Sequence, residues 1–257
     1  MTLESTQMIT YSLIDISAVI AAILAMVVVW LIYKKEEWKG IKKTVFITFL
    51  LLAIGLVSYT VAEIMWSIIS WTGGSPALSI TEYFWIIGSV LLFSGFMYFA
   101  VFMCKVKGET KKCVLRLVTM GAVAIAVPSY LVGNFIIGFQ QGESAFEIFL
   151  DYFYPISSAL ILIASLSVYS FFKKAEELGK PLLYLAISAF FLFLGDMFYT
   201  YYSWNDIYGI TGLLSDSFYA VQYILAAIGF YLLFKLLRGT TEKVNGKIGL
   251  VNKKRLK

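Results

Sequence analysis

Two carboxylates sit where carboxylates are costly. Glu63 lies in VAEIMWSIISW (61–71) and Asp196 in LGDMFYTYYSW (194–204), both segments otherwise apolar enough to cross a membrane. A charged side chain at bilayer depth costs about 2.5–3.5 kcal/mol even on the lenient insertion scale, so such residues by default mark a functional site. On a helix of 3.6 residues per turn, Glu63 shares one face with Trp66, Ser67 and Ser70, and Asp196 shares one with Tyr199, Thr200 and Ser203. Each stripe therefore runs from an acid through an aromatic ring to hydroxyls, and Tyr59 and Thr60 extend the first stripe inward. Trp71 and Trp204 each follow their acid by eight residues. That places the acids about 12 Å below the tryptophans at 1.5 Å per residue.

Four more acids, Asp15, Glu82, Asp151 and Asp216, fall near the same ends of the apolar segments, where there is no Lys or Arg. Six carboxylates facing a bundle interior cannot all be ionised and unpaired. They must hold protons, share them, or bind a cation or cationic ligand. The expected ligand set is Glu63, Asp196, Glu82, Asp216, Trp66, Tyr199, Ser67 and Thr200. Several of these have a plainer reading. Thr81-Glu82 and Ser215-Asp216 also fit helix starts, with a capping hydroxyl followed by a first-turn acid, and Asp151 fits a helix start too. Asp15 fits a side chain reaching interfacial water. Trp66, Trp71, Trp85, Tyr199 and Tyr202 suit packing or an interfacial belt. Tyr219, Gln222 and Tyr223 suit either a polar cavity or the core. Gly88, Gly95 and Gly229 suit close helix approach, and Pro128 and Asn134 suit a kinked helix facing the cavity.

The elements that must position these residues follow from composition. Of 257 residues, 60% are hydrophobic and 14% charged, and the mean hydropathy is +0.82. Soluble domains are nearer 45–50% apolar and about 25% charged, so the expectation is an all-α membrane protein. Apolar runs of spanning length occur at 11–33, 45–70, 82–104, 114–138, 149–172, 182–204 and 214–236. The first is too long, and lacks the basic flank, for a cleaved signal peptide. No connection has room for a soluble domain, and a basic tail occupies 239–257. All 21 Lys and Arg fall at Lys34–Lys43, Lys105–Arg116, Lys173–Lys180 and from Lys235 onward, on every second connection. The positive-inside rule then puts the N-terminus outside and the C-terminus in the cytoplasm of a multi-pass cell-membrane protein. The net charge of +5 is a topogenic signal with some attraction to anionic lipid, not a nucleic-acid surface, since no basic patch is interleaved with stacking aromatics.

The segments also repeat. IMWSIISW after Glu63 aligns without a gap on MFYTYYSW after Asp196, TEYFW (81–85) aligns on SDSFY (215–219), and Gly95-Phe96 on Gly229-Phe230. LIDIS (13–17) aligns on FLDYFYPIS (149–157) with a short insertion. The expectation is a parallel 3+1+3 plan: repeat A over 11–104, a linker helix at 114–138 and repeat B over 149–236, with the site at the repeat interface. The chain has no His, and its cysteines, Cys104 and Cys113, fall at the cytoplasmic ends of helices 3 and 4. A reducing compartment predicts free thiols there. Without His, a zinc hydrolase of the ceramidase or adiponectin-receptor kind is excluded. No nucleophile–base pair is visible either, so no enzyme activity and no cofactor are expected.

Three known seven-helix families share the outside N-terminus. Microbial rhodopsins carry a retinal-binding Lys in the last helix, whereas SDSFYAVQYILAAIGFYLLF has none, which excludes a retinal Schiff base. SWEET and PQ-loop transporters share the three-plus-one-plus-three plan, but no Pro-Gln dipeptide occurs here. The pattern A-E-x-x-W…E-Y-F-W, with its counterpart G-D-x-x-Y…D-S-F-Y, resembles the multi-helix sensor regions that precede some bacterial and archaeal diguanylate cyclases and histidine kinases. The resemblance implies sensing within the membrane, and with no segment for an output domain the expectation is a stand-alone receptor-like sensor. Its pocket would take a cation or a small cationic or amphipathic ligand, and a separate membrane or cytoplasmic protein would be its partner. A small proton- or cation-coupled transporter and a non-catalytic subunit of a membrane complex are the rival expectations.

Overall fold

The computed structural model describes residues 3–34, 41–74, 78–108, 110–136, 144–204 and 212–255. Lys35, Lys39, the connections at 75–77, 137–143 and 205–211, and the side chains of the tail from 240 onward lie outside the described residues. The described chain forms seven helices: α1 (Leu3–Lys34), α2 (Ile41–Trp71), α3 (Thr81–Val106), α4 (Thr110–Leu131), α5 (Ala145–Phe172), α6 (Glu176–Trp204) and α7 (Gly212–Arg255). Each contains a stretch long and apolar enough to cross a membrane. These are the dimensions of a multi-pass membrane protein. The helices overrun the apolar segments at most ends, because polar flanking residues remain helical as they emerge from the apolar zone. In α7 the helix continues through the basic tail to Arg255.

Neighbouring helices form a closed ring in the order α1, α2, α3, α5, α6, α7 and back to α1, while α4 packs outside the ring against α5 and α3. Small residues make the ring tight. Ala18, Ala21, Ala22, Ala25 and Val28 turn one fully buried stripe of α1 toward α2 and α7, while Ile16, Ile20, Ile23 and Trp30 on its other side are exposed, as suits a lipid-facing surface. Gly95 of α3 and Gly229 of α7 make matching contacts. A Cβ on Gly95 would stand 2.9 Å from Leu52 Cδ2 of α2, and one on Gly229 would stand 2.9 Å from Leu185 Cδ2 of α6. Buried hydroxyls bond across the ring without exposing backbone to lipid. Ser58 donates to the Phe84 carbonyl at 2.7 Å, Thr60 to the Ala18 carbonyl at 3.2 Å and Ser188 to the Gln222 carbonyl at 2.8 Å.

Three sequence expectations need correction. Cys104 and Cys113 form a disulfide with their Cα atoms 5.6 Å apart. The turn at Lys107-Gly108, with Gly108 at φ 73°, sets the last turn of α3 beside the first turn of α4, so the intervening residues are mostly helix rather than a spacer. Pro128 does lie inside α4, which ends in a π-helical turn over Val132–Ile136, yet no described residue of this helix lines the carboxylate cavity. Only 17% of its apolar window is buried, against 39–56% in the others, and Asn134 is exposed with its amide donating to the Tyr130 carbonyl. Finally, neither predicted capping hydroxyl caps. The helix start falls earlier than the sequence implied, so Ser215 lies inside the first turn of α7, its Oγ donating to the Gly212 carbonyl. Thr81 is the first residue of α3 and its Oγ1 pairs with Ser79 Oγ. The real capping box is Ser144–Glu147 at the start of α5, which leaves Asp151 two turns in.

Candidate functional site

Glu82 is the first-turn acid of α3 that the sequence implied, whereas Asp216 lies past the first turn of α7, and both turn inward. Both are 4% exposed, and they line the same cavity as Glu63 and Asp196. The cavity has a volume of about 60 Å³ and takes side chains from all six ring helices and none from α4. Its wall holds four carboxylates and seven aromatic rings: Tyr11, Tyr59, Trp66, Trp85, Tyr154, Tyr199 and Tyr219. Among the described residues no cationic side chain lines it. A water needs about 10–15 Å³ on the same measure, so the space suits a few waters or a small cation.

Each deep acid is held by donors from the helix that follows it. Trp85 Nε1 donates to Glu63 Oε1 at 3.2 Å, and Tyr219 OH donates to Asp196 Oδ1 at 2.8 Å. These donors stand at matching places in TEYFW and SDSFY. Tyr219 reaches its acid because Gly195, beside Asp196, has no side chain where a Cβ would lie 2.6 Å from the tyrosine ring. Glu63 has a second donor across the ring, Tyr223 OH to Oε1 at 2.7 Å, whereas Asp196 Oδ2 is buried with no hydrogen-bond partner among the described residues. Tyr154 OH donates to Glu82 Oε2. Tyr59 is held upright by its hydroxyl contact with Ser89 Oγ at 2.7 Å.

The rings pack into a continuous wall. Trp66 meets Trp85 with centroids 5.3 Å apart and Tyr199 at 6.3 Å, and Trp85 meets Tyr154 edge-on at 6.3 Å. The two predicted stripes therefore face each other through Trp66 and Tyr199. Of the expected ligand set, Glu63, Asp196, Glu82, Asp216, Trp66, Tyr199 and Ser67 line the cavity. Thr200 does not. It is buried, and its Oγ1 has no hydrogen-bond partner among the described residues. Asp15 and Asp151 are half-buried and stand outside the lining.

Sequence reading missed Tyr11 and Tyr154 altogether, although a signal was available. Tyr11 precedes Asp15 by four residues and Tyr154 follows Asp151 by three, the helical spacings that also mark the deep stripes. Toward the basic end the cavity gives way to an apolar layer that includes Leu56, Leu92, Ile161 and Leu192 and encloses only about 30 Å³. Within that layer Gln222 Oε1 has no hydrogen-bond partner among the described residues. Among the described residues no group of three or more His, Cys, Asp or Glu side chains is placed to hold a metal ion. The chain matches no protein-family model, no curated protein and no solved structure.

Proposed function

We propose that the protein is a receptor-like membrane sensor that binds a small organic cation, an ammonium or methylated-ammonium group, in the carboxylate–aromatic cavity. One observation carries this reading: four carboxylates and seven aromatic rings converge on a space of about 60 Å³ with no cationic side chain among them. A cation over aromatic faces gains about 2 kcal/mol or more per good contact once desolvated, and charge pairing adds to it. A metal ion would need carboxylates clustered more tightly than these. The volume also narrows the earlier expectation, since a bulky amphipathic ligand does not fit the space. The apolar layer below the cavity favours sensing over the transporter alternative, which needs a polar route to the basic end.

The test is a detergent melting assay of the full chain with ammonium, tetramethylammonium or choline against Na⁺ at equal ionic strength. A cation at about 100 times its dissociation constant adds roughly 2.7 kcal/mol. The wild type should gain this, and Glu63→Gln with Asp196→Asn should not. Protons compete for the same oxygens, so the gain should shrink as pH falls. Melting indifferent to every cation would sink the proposal, and uptake of the cation into proteoliposomes would favour the transporter.

The finer architecture belongs to the same reading: two parallel copies, α1–α3 and α5–α7, joined by α4. Support comes from the matched Gly95–Leu52 and Gly229–Leu185 contacts and the matched donors on Glu63 and Asp196. The order of neighbours around the ring is also unchanged when α1, α2 and α3 are exchanged for α5, α6 and α7. The acid-rich end faces outward on the distribution of Lys and Arg. The disulfide weighs the other way, because it lies at the basic end and such bonds are rare in reducing compartments outside hyperthermophiles. In a background lacking both native cysteines, Thr72→Cys should react with an impermeant thiol reagent in intact cells and Gly108→Cys only after lysis. The opposite pattern reverses the orientation.

A further inference from the structure

At the end of the bundle away from the carboxylates, a cleft of about 440 Å³ opens between the start of α4, the end of α5 and the turns beside them. Four cations border it: Lys107 in the α3–α4 turn, Lys112 and Arg116 on α4, and Lys173 just past α5. Among the described residues no acid lines it. Ser167 and Ser170 also line it, but their hydroxyls donate to carbonyls of their own helix, at 2.7 Å each, so the cations are what the cleft offers an anion. Below the cations the lining turns apolar, with Leu117, Met120 and Leu166. Lys112, Arg116 and Met120 follow one another at intervals of four, so a single face of α4 passes from charge to hydrocarbon.

Two features hold these like charges together. The Cys104–Cys113 disulfide fixes the first turn of α4 against α3, and Lys107 Nζ sits 4.7 Å over the ring of Phe171. Crowded cations with no carboxylate among the described lining residues favour a bound anion. A space of this size beside a helix that is little buried, in a chain of membrane-spanning dimensions, favours a hydrocarbon chain.

We infer that the cleft binds the phosphate headgroup of an anionic glycerophospholipid, with one acyl chain lying along Leu117, Met120 and Leu166. The phosphate chemistry is shared with free phosphate, and the apolar floor selects the lipid. The site is independent of the carboxylate cavity and does not rest on the function proposed for it.

The experiment uses the full chain in mild detergent, titrated with phosphatidylglycerol, phosphatidylcholine or inorganic phosphate, and read by native mass spectrometry and melting. Phosphatidylglycerol should be retained and should raise the melting temperature, and the other two should do neither. Lys112→Ala with Arg116→Ala should weaken retention at least about tenfold, from the loss of two charges near the headgroup. Lys105→Ala with Lys111→Ala removes the same charge from exposed positions outside the cleft and should bind as the wild type does. Met120→Trp, which fills the floor without touching a charge, should also displace the lipid. Equal loss in the control pair would reduce the effect to diffuse surface charge and overturn the site. Displacement of the lipid by inorganic phosphate alone, or unchanged retention in Met120→Trp, would overturn the lipid assignment.

Discussion

In the proposed two-copy plan Glu63 and Asp196 occupy matching places in the two halves of the bundle, yet they are not equally provided for. Glu63 takes two hydrogen bonds on one oxygen, from Trp85 of its own half and Tyr223 of the other. Asp196 takes one, from Tyr219, and its second oxygen is buried with no partner among the described residues. An unpaired polar group in an apolar interior costs about 1–3 kcal/mol, more when it is charged. The first half thus supplies an acid held at one oxygen by two donors. The second supplies an acid held by one donor at Oδ1, with the Ser158 hydroxyl near it, and in the proposed function it is the more responsive of the two.

The comparison depends first on the halves being packed alike, and the largest effect tests that. Gly95→Leu and Gly229→Leu should each destabilise the protein by about 3 kcal/mol, through overpacking at contacts where even a Cβ meets a leucine at 2.9 Å. Denaturation in mixed detergent micelles checks this. Similar losses at both sites fit two equivalent halves. A loss at one and tolerance at the other would show that the matched contacts do not carry equivalent roles.

The second effect is intermediate and should be unequal. Tyr219→Phe and Tyr223→Phe both delete one hydroxyl, but the first strips Asp196 of its one donor among the described hydrogen bonds, while the second leaves Trp85 on Glu63. Expected losses of stability without ligand are about 2–3 kcal/mol for Tyr219→Phe and about 1 kcal/mol for Tyr223→Phe. A cation in the cavity should narrow the gap, because it replaces the missing partner of Asp196. Equal losses would mean that Asp196 is satisfied in another way.

The same contrast shows what was legible in the sequence. The seven helices were legible because spanning length and hydropathy are local properties, and the deep stripes because helical spacing is local too. Which residues Glu63 would meet was not, since Tyr223 lies 160 positions away and is brought near only by closure of the ring. The spacing of Tyr154 from Asp151 was legible, but its pairing with Glu82, 72 positions away, was not. The helix starts misled through a shift in register: a hydroxyl followed by an acid signals a cap only if the helix begins there, and both helices begin earlier. The position of α4 outside the ring was illegible as well, because its apolar length resembles that of its neighbours while its burial depends on them.

The smallest effect separates two residues that sequence spacing made equivalent. Ser67 and Thr200 each follow their acid by four residues, but Ser67 lines the cavity and Thr200 does not. Thr200 Oγ1 is buried with no hydrogen-bond partner among the described residues, so its hydroxyl adds a desolvation cost and no bond. Thr200→Val keeps the shape and removes that cost. It should leave stability unchanged or raise it by about 0.5 kcal/mol, with cation binding intact. Ser67→Ala should leave stability nearly unchanged and weaken cation binding about two- to tenfold, the range for one neutral hydrogen bond to a ligand or its water shell. Titration of the cation against melting temperature in both variants measures the two quantities together. If Thr200→Val weakens binding as much as Ser67→Ala does, the second stripe reaches the ligand after all, and the cavity extends further into α6 than its present lining allows.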